Sequence, residues 1–185
     1  MVPYHHMMAH FPIALLSLTF VLILLRALSS NELVRRLDST VLIYVLAAGV
    51  AGGLGALTTG LMIWPTEATV AGPMARNKIL MASWLIVIWS VVLVLRWRLG
   101  ESVWTGHGRY LMLGLGSIGT VLAAITGTLG GHLLGSPSAL SAVLNQFGWN
   151  VYQTYFVPHW VLILMFTVGL AGIAIGLVSG RKTAT

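Results

Sequence analysis

The sequence predicts an all-α integral membrane bundle of five transmembrane helices, with the amino terminus outside and the carboxyl terminus cytoplasmic. Three observations carry this expectation. Of 185 residues, 57% are hydrophobic and only 8% are charged, where a soluble domain carries roughly 25% charged residues. The mean hydropathy is +0.91. Lys and Arg residues flank apolar runs instead of spreading along the chain. The net charge of +6 and isoelectric point near 10.3 would suggest nucleic acid in a soluble chain, but basic residues beside apolar runs are the positive-inside pattern, and no nucleic-acid partner is expected. Cysteine is absent, which excludes disulfides and thiolate chemistry, so any metal must be held by His, Met or carboxylate.

A hydrocarbon core of about 30 Å needs roughly 20 apolar residues in helical form. Stretches at Met7–Leu25, Val41–Trp64, Ile79–Trp97, Tyr110–Leu134 and Phe156–Val178 meet that need, within a single domain covering residues 1–185. Pro12 and Pro158 are expected near the starts of the first and last spans, where a missing N–H does least harm. The opening MVPYHHMMAH lacks a basic segment, so the first span is expected to insert and stay. Arg26, Arg35, Arg36, Arg96, Arg98, Arg109, Arg181 and Lys182 fall on one side of the spans and Arg76 and Lys78 on the other, which sets the orientation. Trp64, Trp97, Trp104, Trp149 and Trp160 lie near boundaries, as interfacial aromatics do.

Gly49/Gly53, Gly52/Ala56/Gly60, Gly127/Gly131 and Gly172/Gly176 follow a small-xxx-small spacing. Two readings stand: close packing of helix backbones, or room for a flat cofactor beside them. The uncharged stretch 135–155 is expected to lie along the outer membrane surface or to dock on another subunit.

From Leu111 to Gly180 no Asp, Glu, Lys or Arg occurs, which leaves His132 and His159 as the groups there that titrate near neutrality. With the expected topology, His10, His132 and His159 share a depth near the outer face, and His5 and His6 lie just above them. A lone histidine at a helix end is usually an interfacial residue bonded to water or a carbonyl; three at one depth favour a cofactor. Imidazoles delivered from separate helices are what a b-type haem needs for its axial positions. Gly127, Gly130 and Gly131 would leave flat space beside His132, and Thr128, one turn earlier, would bond the ring or a propionate. The run HHMMAH also permits an exterior copper or zinc site from His5, His6 and His10, with Met7 and Met8 as soft donors. His107 beside Arg109 reads as solvated, as does the loop carrying Glu32, Arg35, Arg36 and Asp38, while Glu67 and Arg76 are candidates to pair. No phosphate-binding glycine loop, Ser-His-Asp order or paired intramembrane carboxylates occur, which argues against an ion-coupled transporter and leaves no catalytic residue to name.

The run HHMMAHFPIALL resembles the opening of the bacterial membrane-protein family called domain of unknown function 2231, with His5, His10, Phe11 and Pro12 matching and His6 where the family usually has proline. The resemblance extends to Thr58, Thr59 and Gly60, and to Thr126, Gly127, Gly130 and Gly131, covering about the first 140 residues. It implies a four-helix membrane core and no particular activity. His132 stands where members tend to be acidic, and a fifth helix with His159 is added. Each departure adds a histidine at the outer face.

The sequence therefore favours a b-type haem subunit of a larger electron-transfer complex in the bacterial inner membrane, with His132 as one axial ligand and His10 or His159 opposite. Electrons would pass between an exterior redox protein and quinone or another haem. A cofactor-free anchor or assembly subunit surrounded by lipid and partner subunits is the alternative, and exterior copper or zinc binding a third reading.

Overall fold

The computed structural model describes residues 2–63, 67, 71–154 and 157–180, with side chains described among these from residue 4 to residue 171. The described residues are helical or irregular, with no strand. Helix α1 is Val2–Leu28, α2 is Glu32–Leu37, and a π-helical turn Asp38–Leu42 leads into α3, Ile43–Ile63. Helix α4 is Pro73–Leu99, followed by a 3₁₀ turn Gly100–Trp104; α5 is Gly108–Leu133, α6 is Ala139–Gln146 and α7 is His159–Gly180. Four helical stretches are long and apolar enough to cross a membrane: Tyr4–Leu28, Glu32–Ile63, Pro73–Trp104 and Gly108–Leu133. A shorter apolar helix is described over His159–Ala171.

These helices overrun the apolar stretches that announce them. A helix in lipid must satisfy its own backbone, so it extends through flanking polar residues until the chain can turn. One consequence corrects an expectation: α1 begins at Val2, so Pro12 lies inside the helix and not at its start. Pro158 does sit where expected, immediately before α7, and its carbonyl accepts from Val161 N at 2.9 Å.

α1 packs against α3 and α4 against α5, with α3–α4 and α1–α5 contacts closing the ring. Close approach depends on glycine. A β-carbon at Gly49 would stand 2.7 Å from Leu16 Cδ2, one at Gly52 2.9 Å from Phe11 Cδ1, and one at Gly119 2.6 Å from Trp89 Nε1. The core along this ring includes Ile23, Leu46, Trp89, Val92 and Met112, all buried. Gly127 differs: nothing lies within 4 Å of where its β-carbon would be. Close packing therefore accounts for Gly49, Gly52 and Gly119, and Gly127 stands open, while Gly172 and Gly176 fall outside the described side chains.

One end of the bundle, here called the arginine end, is fastened by charge. Asp38 is 1% exposed. Arg96 donates to its Oδ1 through Nε at 3.2 Å and to Oδ2 through Nη2 at 3.1 Å, and Trp104 Nε1 donates to Oδ2 at 2.9 Å. Arg26 Nε stands 3.7 Å from the same oxygen. Glu101 completes the network with Oε1 2.9 Å from Arg96 Nη2 and Oε2 3.3 Å from Arg26 Nη2. Asp38 is thus not part of a solvated loop. The loop reading does hold for Glu32, which pairs with Arg35 and Arg36 on the exposed α2. Trp104 and Trp149 are buried at 7% and 0% exposure, against the interfacial placement expected of them, whereas Trp97 at 70% is exposed as expected.

Removing one partner of a buried ion pair leaves the other uncompensated, at a cost of about 3–5 kcal/mol. Asp38→Ala is expected to lose about that much in a detergent unfolding titration, while Glu101→Gln, whose side chain is half exposed, loses under about 1 kcal/mol. Gly119→Ala, which drives a methyl into Trp89, should cost about 1–3 kcal/mol. Gly127→Ala should leave the thermal midpoint unchanged.

Candidate functional site

At the opposite end, here called the histidine end, the four long helices separate around a cavity of about 470 Å³. Its walls are mostly apolar, including Ile13, Leu57, Ile79 and Ile86, and its polar lining comes from His5, His6, His10, Thr126, Lys78 and Ser136. Gly53, Gly60, Gly127, Gly130 and Gly131 also line it. Ligand sites commonly show this combination of an apolar hollow and a few convergent polar groups. Eight of the eleven residues by which the sequence resembles the membrane family fall on this wall: His5, His10, Pro12, Gly60, Thr126, Gly127, Gly130 and Gly131. Spread over 126 positions of the chain, they meet because α1, α3 and α5 bring their histidine-end turns together.

Two of the imidazoles have a defined tautomer. His10 Nδ1 lies 2.6 Å from the carbonyl oxygen of His6. A carbonyl only accepts, so Nδ1 carries the hydrogen and Nε2 keeps its lone pair. His5 Nδ1 lies 3.3 Å from Thr59 Oγ1, whose own hydrogen is directed to the carbonyls of Gly55 and Ala56 at 2.9 and 3.1 Å. His5 is therefore the donor in that pair, and its Nε2 also keeps a lone pair. The His5 ring packs flat on the backbone at Gly60, where a β-carbon would stand 2.9 Å from Cε1.

Lys78 reaches across from α4 to α5, its Nζ 3.5 Å from the position a β-carbon would take at Gly130. No ion pair or hydrogen bond engages it among the described residues. The sequence reading passed over this lysine as one of two minority charges in an orientation count; the signal that would have found it is its place one residue before an apolar run.

The other expected site residues are arranged differently. His132 is 8% exposed and does not line the cavity. Its Nδ1 lies 2.6 Å from Tyr152 Oη, and its Nε2 is buried without a hydrogen-bond partner. Thr128, also buried, bonds Ser138 Oγ at 3.0 Å and so faces the same covering segment instead of a cofactor. His159 is exposed at the first turn of α7 and lies outside the cavity lining. No group of three or more His, Asp or Glu side chains able to hold a metal ion occurs among the described residues, the trio His5, His6 and His10 included.

The segment after α5 explains where His132 and Thr128 point. α5 ends with Ser136 N donating to Gly131 O at 2.9 Å and with Gly135 at φ +73°, a left-handed conformation that turns the chain back. The Ser136 carbonyl approaches so closely that a β-carbon at Gly131 would stand 2.7 Å from it. Residues 136–154 then fold over the bundle end, burying Leu144, Trp149 and Val151. Asn77 Nδ2 donates to Thr154 O at 2.8 Å, and Trp160 Nε1 donates to Phe147 O at 2.9 Å. The segment thus docks on its own chain, with Val143, Phe147 and Tyr152 left exposed.

An all-helical membrane bundle with a histidine-rimmed, apolar cavity at one end is the class this geometry defines. The family model described as predicted membrane protein (DUF2231) matches residues 1–137, and the chain belongs to that family. No curated protein and no solved structure matches the chain.

Tyr152→Phe would leave both ring nitrogens of His132 without partners, at a cost of about 1–3 kcal/mol for a buried polar group. Hydrogen exchange should accelerate across residues 139–154 in that variant while α1 and α4 keep their protection.

Proposed function

We propose that this protein is a membrane subunit of an electron-transfer complex and that its histidine-end cavity holds a b-type haem with His10 as an axial ligand. The observation that carries this reading is an imidazole on the wall of an apolar cavity with its Nδ1–H already bonded to a backbone carbonyl. A histidine that ligates a metal usually has its other nitrogen held in this way, which fixes the ring and raises its basicity. Gly127 of α5 leaves open space beside the backbone on the cavity wall, as a porphyrin face requires. A bare copper or zinc ion fits less well, since three donors do not converge among the described residues. His132 and His159 lie off the cavity wall, so the reading uses α1 and not the two added histidines.

With the basic residues placing the amino terminus outside, the cavity faces the exterior of a bacterial inner membrane. Haem there would exchange electrons with an exterior redox protein and pass them to quinone or a second haem.

The cofactor-free anchor is favoured by a separate observation. Leu162, Ile163, Leu164, Phe166 and Leu170 of α7 are exposed, and only Val161 of its described residues is buried. A helix so loosely joined to its own bundle suits attachment to a neighbouring subunit as well as to lipid.

The full chain, purified in detergent, decides between them by its optical spectrum. The haem reading expects a Soret band, a b-type α-band on dithionite reduction, and loss or displacement of both in His10→Ala but not in His132→Ala. A preparation that lacks haem and does not take it up when titrated with ferric haem overturns the reading.

A further inference from the structure

We infer that the ligand of the histidine-end cavity carries an acid group and that Lys78 binds it, with the apolar body of the ligand running into a second hollow deeper in the bundle. This rests on the cavity being a ligand site, as proposed above, but not on iron being present.

Two observations lead there. Among the described residues Lys78 is the only Lys or Arg on the cavity wall, and no carboxylate accompanies it there. The chain has four Asp and Glu residues in all. Asp38 and Glu101 are committed to Arg96 and Arg26 at the far end, Glu32 pairs with Arg35 and Arg36, and no ion pair joins exposed Glu67 to Lys78 among the described residues. An ammonium on an apolar wall without a counter-charge is costly, and an acid group brought by the ligand would remove that cost.

The second observation is the shape of the space. A hollow of about 270 Å³ shares Ile13, Leu16, Ala123 and Gly127 with the main cavity and continues to Thr120 and Trp89. From Gly130, against which Lys78 lies, to Thr120 is roughly 15 Å along α5 at 1.5 Å per residue. The combined space is charged at one end and apolar along its length.

Trp89, fully buried, closes that hollow, with its Nε1 against Gly119 of α5. The chemistry that fits is a flat or linear apolar body ending in a carboxylate. Haem, through a propionate, and a fatty acid both have it.

The full chain in detergent micelles is titrated with ferric haem b and with its dimethyl ester, followed by absorbance. In parallel it is titrated with a fluorescent long-chain fatty acid and the methyl ester of that acid. Wild-type protein is expected to bind at least one acid about tenfold or more tightly than its ester, the size of a charge-assisted hydrogen bond. Lys78→Gln should abolish the preference while still binding the ester, and Lys78→Arg should restore it. Circular dichroism checks that each variant is folded. If the fatty acid shows this behaviour and haem does not bind, the inference stands and the haem reading falls. If haem binds but acid and ester are equal, or if haem binds and Lys78→Gln keeps the preference, the inference falls and the haem reading stands; if Lys78→Gln keeps a preference for the fatty acid and haem does not bind, both fall. Binding of neither acid overturns both.

Discussion

Asp38 is held by a guanidinium, an indole N–H and a second arginine, almost out of reach of solvent, and the geometry of the bundle is organised around it. Its partners come from the end of α1, the end of α4 and the turn that follows α4. Arg26, 12 residues before it, and Arg96 and Trp104, 58 and 66 residues after it, are thereby brought to one carboxylate. The π-helical turn Asp38–Leu42 is where that residue sits, at the point where the exposed α2 becomes the membrane-crossing α3. A widened turn changes which side chains face inward, and it is found most often where a helix has something particular to place. Here it places a charge whose burial is acceptable only because two arginines and an indole N–H compensate it.

With the arginine end fastened in this way, helix contact along the rest of the bundle is governed by size. Gly49, Gly52 and Gly119 admit the side chains of Leu16, Phe11 and Trp89, and the backbones approach accordingly. Lipid offers no hydrophobic drive for helices to associate, so such close contact must supply the attraction itself. Toward the histidine end the matching persists at Gly60, against His5, but not at every glycine. Gly127 meets no side chain, and the space left over is the cavity. The same residue type therefore closes the bundle in one place and opens it in another, according to what the facing helix presents.

The fold was legible in the sequence because hydropathy and helix length answer to one physical demand, that the backbone be satisfied within lipid. The cavity was partly legible. His5, His10, Gly60, Gly127 and Gly131 were all singled out, and they meet on one wall. What depth along the membrane could not supply is direction around the helix axis. His132 and His10 both lie near the histidine end, yet one faces Tyr152 and the other the cavity, a difference of rotation and not of level. Asp38 was misread for a related reason: beside Glu32, Arg35 and Arg36 it looks like one more solvated charge, and its true partners lie 58 and 66 positions away. Lys78 was treated as a charge to be counted when its neighbours made it a chemical group.

A bundle bound by ions at one end and hollow at the other is mechanically uneven. The Asp38 network acts as a pivot, since its bonds join three segments across a short radius and resist separation. At the far end neutral contacts and a folded-over segment hold helices whose tips are one full membrane thickness from that pivot. A small tilt at the charged end is magnified over that lever arm into several times the displacement at the rim. Such a shape yields first at the mouth, with the helices and their fastening left intact.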